Sequence, residues 1–239
     1  MKKVAIVGYT PSRELAPFND PSWEIWGLND LYRFVPRYDR WFEFHGKHRD
    51  GYIHNPKPGR LPWQEVKAQL ATMQCPVYLQ DVVPEIPNSV KFPLEEILNE
   101  FGQYFLDKKY AKYFTNSVSF MLALAIYEKY DEIHVYGVDM ATSSEYGHQR
   151  PSCEFWLGVA IGRGITIHVP EEADLLKSRF MYGYEEEKKH VFETKIKKML
   201  ETIESRKMQS VQKKRAAETE EFQYIGAATA LREMMQAWE

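Results

Sequence analysis

Over its first two-thirds the chain sets short, dense apolar runs between polar turns. "VAIVGY" (4–9), "WEIWGLN" (23–29), "DRWFEFH" (39–45), "PVYLQ" (76–80), "EIHVYGVD" (132–139) and "ITIHVP" (165–170) have the length and residue types of β-strands. The first, fifth and sixth carry Val and Ile almost without interruption, the pattern of strands buried on both faces. Between these runs the apolar period lengthens to that of helices. Residues 61–73 open with Pro62 near the start, and residues 93–105 place Leu94, Ile97, Leu98 and Phe101 on one stripe. Residues 117–130 are apolar almost all round, which predicts a deeply buried helix. Residues 151–164 end on Gly164, a residue suited to a helix C-terminus.

Strands alternating with helices predict an α/β fold: a Rossmann-like, mostly parallel sheet with helices on both faces, spanning residues 1–183. From residue 184 the pattern changes to Glu, Lys, Ala, Met and Gln, with one Gly and no Pro. Phe192, Ile196, Met199 and Ile203 make one stripe, and Phe222, Ile225, Leu231, Met235 and Trp238 make another. Two helices are expected in this tail (184–239), with a weakly apolar charged stretch near 204–220 between their stripes. The stripes predict packing on the first domain or on a second subunit, and hence a homo-oligomer.

Composition narrows the function classes. Lys+Arg is 31 and Asp+Glu 34, a net charge of −3 that gives no support to a general nucleic-acid binder. Cys75 and Cys153 lie far apart without metal-type spacing, as in a reduced, cytoplasmic protein. The apolar run behind "MKK" is too short for a signal peptide or a membrane span.

In open α/β sheets ligands bind beyond the carboxyl ends of the strands, so the residues just after each strand are the candidates. After the first come Gly8, which lets backbone approach a ligand, and Thr10 and Ser12 with their hydroxyls. The spacing is neither G-x-G-x-x-G nor a Walker loop, and Asn29-Asp30 stands after the second strand, which argues against an ordinary dinucleotide dehydrogenase. An Asn29 amide both donates and accepts, which suits a base edge or a sugar hydroxyl. The period of two places Glu43 and His45 on one face of the third strand, with His48 beyond as a surface loop residue. Asn116 and Ser117 stand where a helix begins, as a cap or facing a phosphate. Gly137 and Asp139 end the fifth strand, Asp139 as a ribose contact or a turn cap. The polar stretch that follows, "MATSSEYGHQRPSCEFW", reads as a loop closing onto a helix. It holds Glu145, His148 and Arg150: a general acid/base pair and a phosphate partner, with Glu154 one turn into the helix.

"NSVSFMLALAIYEKYDEIHVYGVDM" (116–140) resembles the segment of small bacterial sialyltransferases that use CMP-sialic acid, in which a polar start leads through an apolar helix to a strand ending G-I/V-D. The turn Gly8 to Ser12 is similar to that family's G-x-x-P-S turn, although Tyr9-Thr10 stands where the family has an asparagine, and Asn29 matches the Asn after its second strand. Archaeal 6-hydroxymethylpterin diphosphokinases have a similar outline, and "LAPFNDPSWEIWG" with "EYGHQRPSCE" resembles an uncharacterised phage and prophage family. The sialyltransferase resemblance implies a nucleotide or nucleotide-sugar donor held by Asn29, Ser117, Gly137 and Asp139, with His148 or His168 as base. His168, inside the last strand, is expected to be buried and structural. No D-x-D carboxylate pair is present, so metal is not expected to be required. The leading expectation is a glycosyltransferase of phage or prophage origin working on an acceptor in the (host) cytoplasm. An ATP- and Mg²⁺-dependent diphosphokinase-like transferase with Asp139 and Glu145 on the metal, or a non-catalytic nucleotide-binding phage protein, is the alternative.

Overall fold

The computed structural model describes residues 1–45, 61–106, 113–140, 144–178, 181, 184 and 189–237, with the side chains of 144–146 and 189–194 excepted. The chain divides into two units, Met1–Lys177 and Ser178–Glu239.

Among the described residues the first unit is built on seven strands: β1 (Lys3–Val7), β2 (Glu24–Leu28), β3 (Arg40–Phe42), β4 (Val77–Leu79), β5 (Ser89–Lys91), β6 (Glu132–Tyr136) and β7 (Thr166–His168). Their order is β5-β4-β3-β2-β1-β6-β7 and every neighbouring pair is parallel. The chain steps outward from β1 to β5, then returns to the far side of β1 for β6 and β7. The direction reverses between β1 and β6, the switch point at which such sheets open a crevice.

Alternation sorts the strand residues onto two cores. Val4, Ile6, Trp26, Leu28, Phe42, Ile133 and Val135 face α2 (Leu94–Glu100), α3 (Ser117–Tyr127) and α4 (Ser144–Gly162). Ala5, Val7, Ile25, Trp41, Val77 and Tyr136 face α1 (Trp63–Leu70) and the 3-10 turn at Leu31–Arg33. Val4 through Val7 are all fully buried, and burial of one such Val or Ile side chain contributes roughly 1.5–3 kcal/mol. The α/β architecture, with helices on both faces, is therefore as the apolar pattern predicts.

Four elements differ from that pattern. β5 has three residues, Ser89 half-buried and Val90 and Lys91 exposed, so it presents no apolar run to read. The 93–105 stripe is helical only to Glu100 and closes with a 3-10 turn at Gly102–Tyr104. β7 is an edge strand, so its faces are not covered on both sides, and His168 is exposed rather than buried. The stretch expected as a loop is helical from Ser144, with Pro151 inside α4. A proline removes one helical hydrogen bond, but the turn is held from outside. Ser152 Oγ and Trp156 Nε1 both donate to the Tyr113 carbonyl, at 2.8 and 3.1 Å.

Among the described residues the second unit contains one continuous helix, α5 (Lys189–Gln236), where two were expected. Residues 204–220 are weakly apolar, yet nearly all are strong helix formers, and no Pro interrupts them.

Candidate functional site

The turns after β1, β2 and β6 are clasped into one piece. Gly8 N donates to the Tyr136 carbonyl (2.8 Å) and Thr10 N to that of Gly137 (2.9 Å). The Ser12 hydroxyl accepts from Gly137 N at 2.9 Å and donates to Asp139 Oδ1 at 2.7 Å. Tyr9 reaches across to the second turn, its hydroxyl accepting from Asp30 N at 2.8 Å. The approach of backbone to backbone is so close that a Cβ on Gly8 would stand 2.4 Å from the Gly137 carbonyl oxygen. Gly137 has φ +68°, where glycine is favoured.

Two polar atoms on these turns have no hydrogen-bond partner among the described residues: Thr10 Oγ1 and Asn29 Oδ1, both buried from solvent. Asn29 is held in the left-handed region at φ +52°, its N–H donating to Phe42 O and its carbonyl accepting from Trp41 Nε1 at 3.0 Å. The backbone of Asn29 is thus fixed at both ends while its side-chain oxygen is not engaged. An unmatched buried acceptor costs on the order of 1–3 kcal/mol.

Beside Asn29, the chain leaving β3 carries a carboxylate–imidazole pair. The Glu43 side chain is completely buried, and its Oε1 accepts from His45 N at 2.7 Å and faces His45 Nδ1 at 2.8 Å. A carboxylate accepts a proton-bearing nitrogen, so the neutral ring keeps its proton on Nδ1 and presents a lone pair at Nε2. The intervening Phe44 points the other way and packs on Phe120 of α3, ring centroids 4.8 Å apart. That contact places the N-terminal turn of α3, the positive end of its dipole, beside the same edge. Successive strands lie about 4.8 Å apart, so the ends of β3 and β6 are roughly 14 Å apart, the span of a mononucleotide with its phosphates.

The expected residues divide into three groups. Gly8, Thr10, Ser12, Gly137, Asp139 and Asn29 come together on the clasped turns, with the Ser12 and Asp139 side chains already bonded to each other. Asn116 and Ser117 open α3. Asn116 Oδ1 caps the helix by accepting from Ser119 N (3.0 Å), and its Nδ2 donates to Gln149 O (3.0 Å), so its amide is engaged within the fold. Cys153 Sγ lies against the same Oδ1 at 3.4 Å, and burial pushes that thiol up to about 12, which keeps it unreactive.

On α4, Arg150 donates from Nε to Glu154 Oε1 (2.8 Å) and from Nη2 to the Lys177 carbonyl (3.1 Å), while Glu154 also accepts from Leu176 N (3.0 Å). These bonds tie α4 to the 174–177 segment. His148 is exposed on the helix. The Glu145 side chain and His48 lie outside the described residues. The Glu43–His45 pair was visible as a shared strand face, but the burial of Glu43 was not; Tyr9 as a clasp had no sequence signal at all. Among the described residues no group of three or more His, Cys, Asp or Glu is placed to hold a metal ion, and no helix is long and apolar enough to cross a membrane.

The chain matches no protein-family model and no curated protein. Among solved structures it is similar in outline to the sialyltransferase CstII from Campylobacter jejuni. The complex with cytidine-5'-monophosphate aligns at 16% identity over 71% of this chain and 79% of that one, with a TM-score of 0.44. The complex with CMP-3FNeuAc aligns at 16% over 76% and 89%, with a TM-score of 0.46. Monomeric CstII aligns at 14% over 78% and 93%, with a TM-score of 0.47.

Proposed function

We propose that this protein is a nucleotide-dependent transferase, and specifically a glycosyltransferase, working at the carboxyl edge of its sheet. The observation that carries this reading is the pair of buried, unmatched acceptors on the clasped turns, Thr10 Oγ1 and Asn29 Oδ1. A ribose hydroxyl or a base amine supplies the donors they lack. The N-terminal turn of α3 at Ser117 favours the negative charge of the donor's phosphate, and it stabilises the same charge as the glycosyl bond breaks.

His45 is the base. Its Nε2 takes the proton from an acceptor hydroxyl as that oxygen attacks the sugar carbon, and Glu43 stabilises the imidazolium that forms. His148 has no such carboxylate partner described on its helix, and Arg150 would have to leave Glu154 to reach a phosphate. The reading thereby moves the base from the helix to the end of β3.

Thermal unfolding with CMP, UDP, GDP, ADP and ATP, each with and without Mg²⁺, tests it. A nucleotide at 100 times its dissociation constant raises stability by about 2.7 kcal/mol. A metal-independent shift with one pyrimidine nucleotide, lost in Asn29→Gly and in Thr10→Val, is the expected result. A shift only with ATP and Mg²⁺ would favour phosphoryl or diphosphoryl transfer with Asp139 on the metal, and no shift with any nucleotide would remove the proposal. With the donor known, His45→Gln should abolish turnover while leaving the nucleotide shift intact. Unchanged turnover in that variant and loss in His148→Ala would return the base to α4.

A further inference from the structure

The helix α5 is 48 residues long, about 72 Å at 1.5 Å per residue, and its unit contains no second helix among the described residues. A single helix of that length, polar on every side, would hold by its own propensity, but this one is not polar on every side. Ile196, Ile203, Ser210, Ala217, Tyr224 and Leu231 recur every seven residues, and Met199, Ala227 and Met234 fall three places after three of them. That is the heptad spacing of a left-handed coiled-coil seam, apolar toward its two ends and charged at the three intervening positions, Arg206, Lys213 and Glu220. Its apolar members are exposed: Ile203 by 60%, Leu231 by 63% and Met234 by 67%.

Charge along the helix is divided by position. Residues 195–215 hold eight Lys and Arg against two Glu, and residues 218–233 hold four Glu against one Arg. This places cations toward the helix's positive dipole end and anions toward its negative end, the arrangement an isolated helix disfavours. A parallel partner would set Lys213, Lys214 and Arg215 against their own copies. An antiparallel partner reverses both conflicts, laying the basic half of each helix on the acidic half of the other.

We propose that α5 is a self-association element that pairs with α5 of a second copy of this chain in antiparallel orientation, with the two-fold axis near Ala217. The small side chains of Ala216 and Ala217 let the two helices approach at the axis. Lys213 and Lys214 then face Glu221 and Glu220 of the second copy. Farther out, Ile203 meets Leu231, so apolar members of the seam close on each other rather than on water. The polar middle, at Arg206, Ser210 and Lys213, fixes the register at some cost in affinity, as polar residues at seam positions do. The pair is isologous, so one surface serves both copies.

The experiment is light scattering and sedimentation on the full chain, wild type against two charge variants. The wild type should run at twice the chain mass and dissociate on dilution. Lys213→Glu/Lys214→Glu/Arg215→Glu brings acid against acid, and Glu218→Lys/Glu220→Lys/Glu221→Lys brings base against base. Each alone should weaken the dimer at least tenfold, and mixing the two should restore a dimer containing one copy of each. All the introduced residues keep the helix, which circular dichroism confirms. A monomeric wild type would overturn the proposal and point to α5 packing on its own chain or on another protein. A dimer unaffected by either variant would overturn it as well, locating self-association elsewhere.

Discussion

At the edge where the strands begin, Arg40 donates to Glu128 Oε1 (2.7 Å), Tyr78 (3.1 Å) and Tyr130 (3.2 Å), and pairs with Glu24 Oε2 (3.0 Å). Its guanidinium lies over the Trp26 ring at 4.9 Å and its side chain is 16% exposed. Burial pushes the Glu24 carboxyl up, but hydrogen bonds from Trp26 and Tyr130 and the Arg40 cation outweigh it and leave it below the ordinary value. Burial and the bond to Glu24 raise the Tyr130 hydroxyl. At the edge where the same strands end, Thr10 Oγ1 and Asn29 Oδ1 are buried without partners. Positive φ does not separate the edges: Asn29, just after β2, has it, and so does Lys129 beside the Arg40 cluster. One edge satisfies its polar groups with its own side chains; the other holds hydrogen-bonding capacity in reserve at a cost in stability. That asymmetry is what a binding site on a rigid scaffold requires.

Removing a partnered group at the first edge should therefore cost stability, whereas removing an unmatched acceptor at the second should not. The largest effect is expected from Arg40→Ala, which leaves two carboxylates and two phenols facing each other without their cation. A loss of roughly 3 kcal/mol in urea unfolding is expected, the low end for breaking a buried pair because Glu24 is partly exposed. Next, Gly8→Ala puts a Cβ 2.4 Å from the Gly137 carbonyl oxygen and forces β1 from β6, costing about 1–3 kcal/mol. It should weaken nucleotide binding as well, since it opens the clasp.

Thr10→Val and Asn29→Gly test the reserve itself. Each removes an unmatched acceptor, so the free protein should be unchanged or stabilised by about 1 kcal/mol, while nucleotide affinity falls at least tenfold, which is about 1.4 kcal/mol. Destabilisation by Thr10→Val comparable to that at Arg40 would abolish the contrast between the edges. Asn116→Ala lies between the two classes, because its amide caps α3 rather than awaiting a ligand. About 1 kcal/mol should be lost in thermal unfolding.

The smallest effect concerns pH. His134 is shifted below its ordinary 6.5 by burial, which outweighs the Glu132 carboxylate at 2.7 Å; His168 and Lys3 act in the same direction as burial. Trp23 and Tyr136 enclose the ring further. A histidine kept neutral by the fold binds more protons when unfolded, so its contribution is fully present above about pH 6.5 and is lost as pH falls through the lowered value. A stability titration should show that decline in the wild type and a flatter profile in His134→Gln.

Local periodicity carried much of this molecule. β1 and β6 were legible because burial on both faces demands continuous Val and Ile, and α3 because a helix buried all round is apolar all round. Six of the residues expected at the site meet on the clasped turns because the rule that selects them, carboxyl ends of parallel strands, depends only on strand order. Glu43 and His45 share a face by the period of two. What local pattern did not carry was settled by long-range contact. Pro151 reads as a helix start, and only the Tyr113 carbonyl, reached from Ser152 and Trp156, shows why α4 runs through it. His168 reads as buried until β7 is known to be an edge. Ser12 and Asp139 read as two ligands until the fold, 127 residues apart in sequence, bonds one to the other. Nothing in the sequence separates Thr10 and Asn29 from Ser12 and Asp139 as the candidates left unpartnered, because whether a polar atom has a partner depends on what the rest of the chain brings near it. Apolar burial is dictated by a residue's own chemistry and recurs with the period of its element, so the sequence alone determined it; the pairing of polar groups is a property of two distant positions at once, and only the tertiary structure decided it.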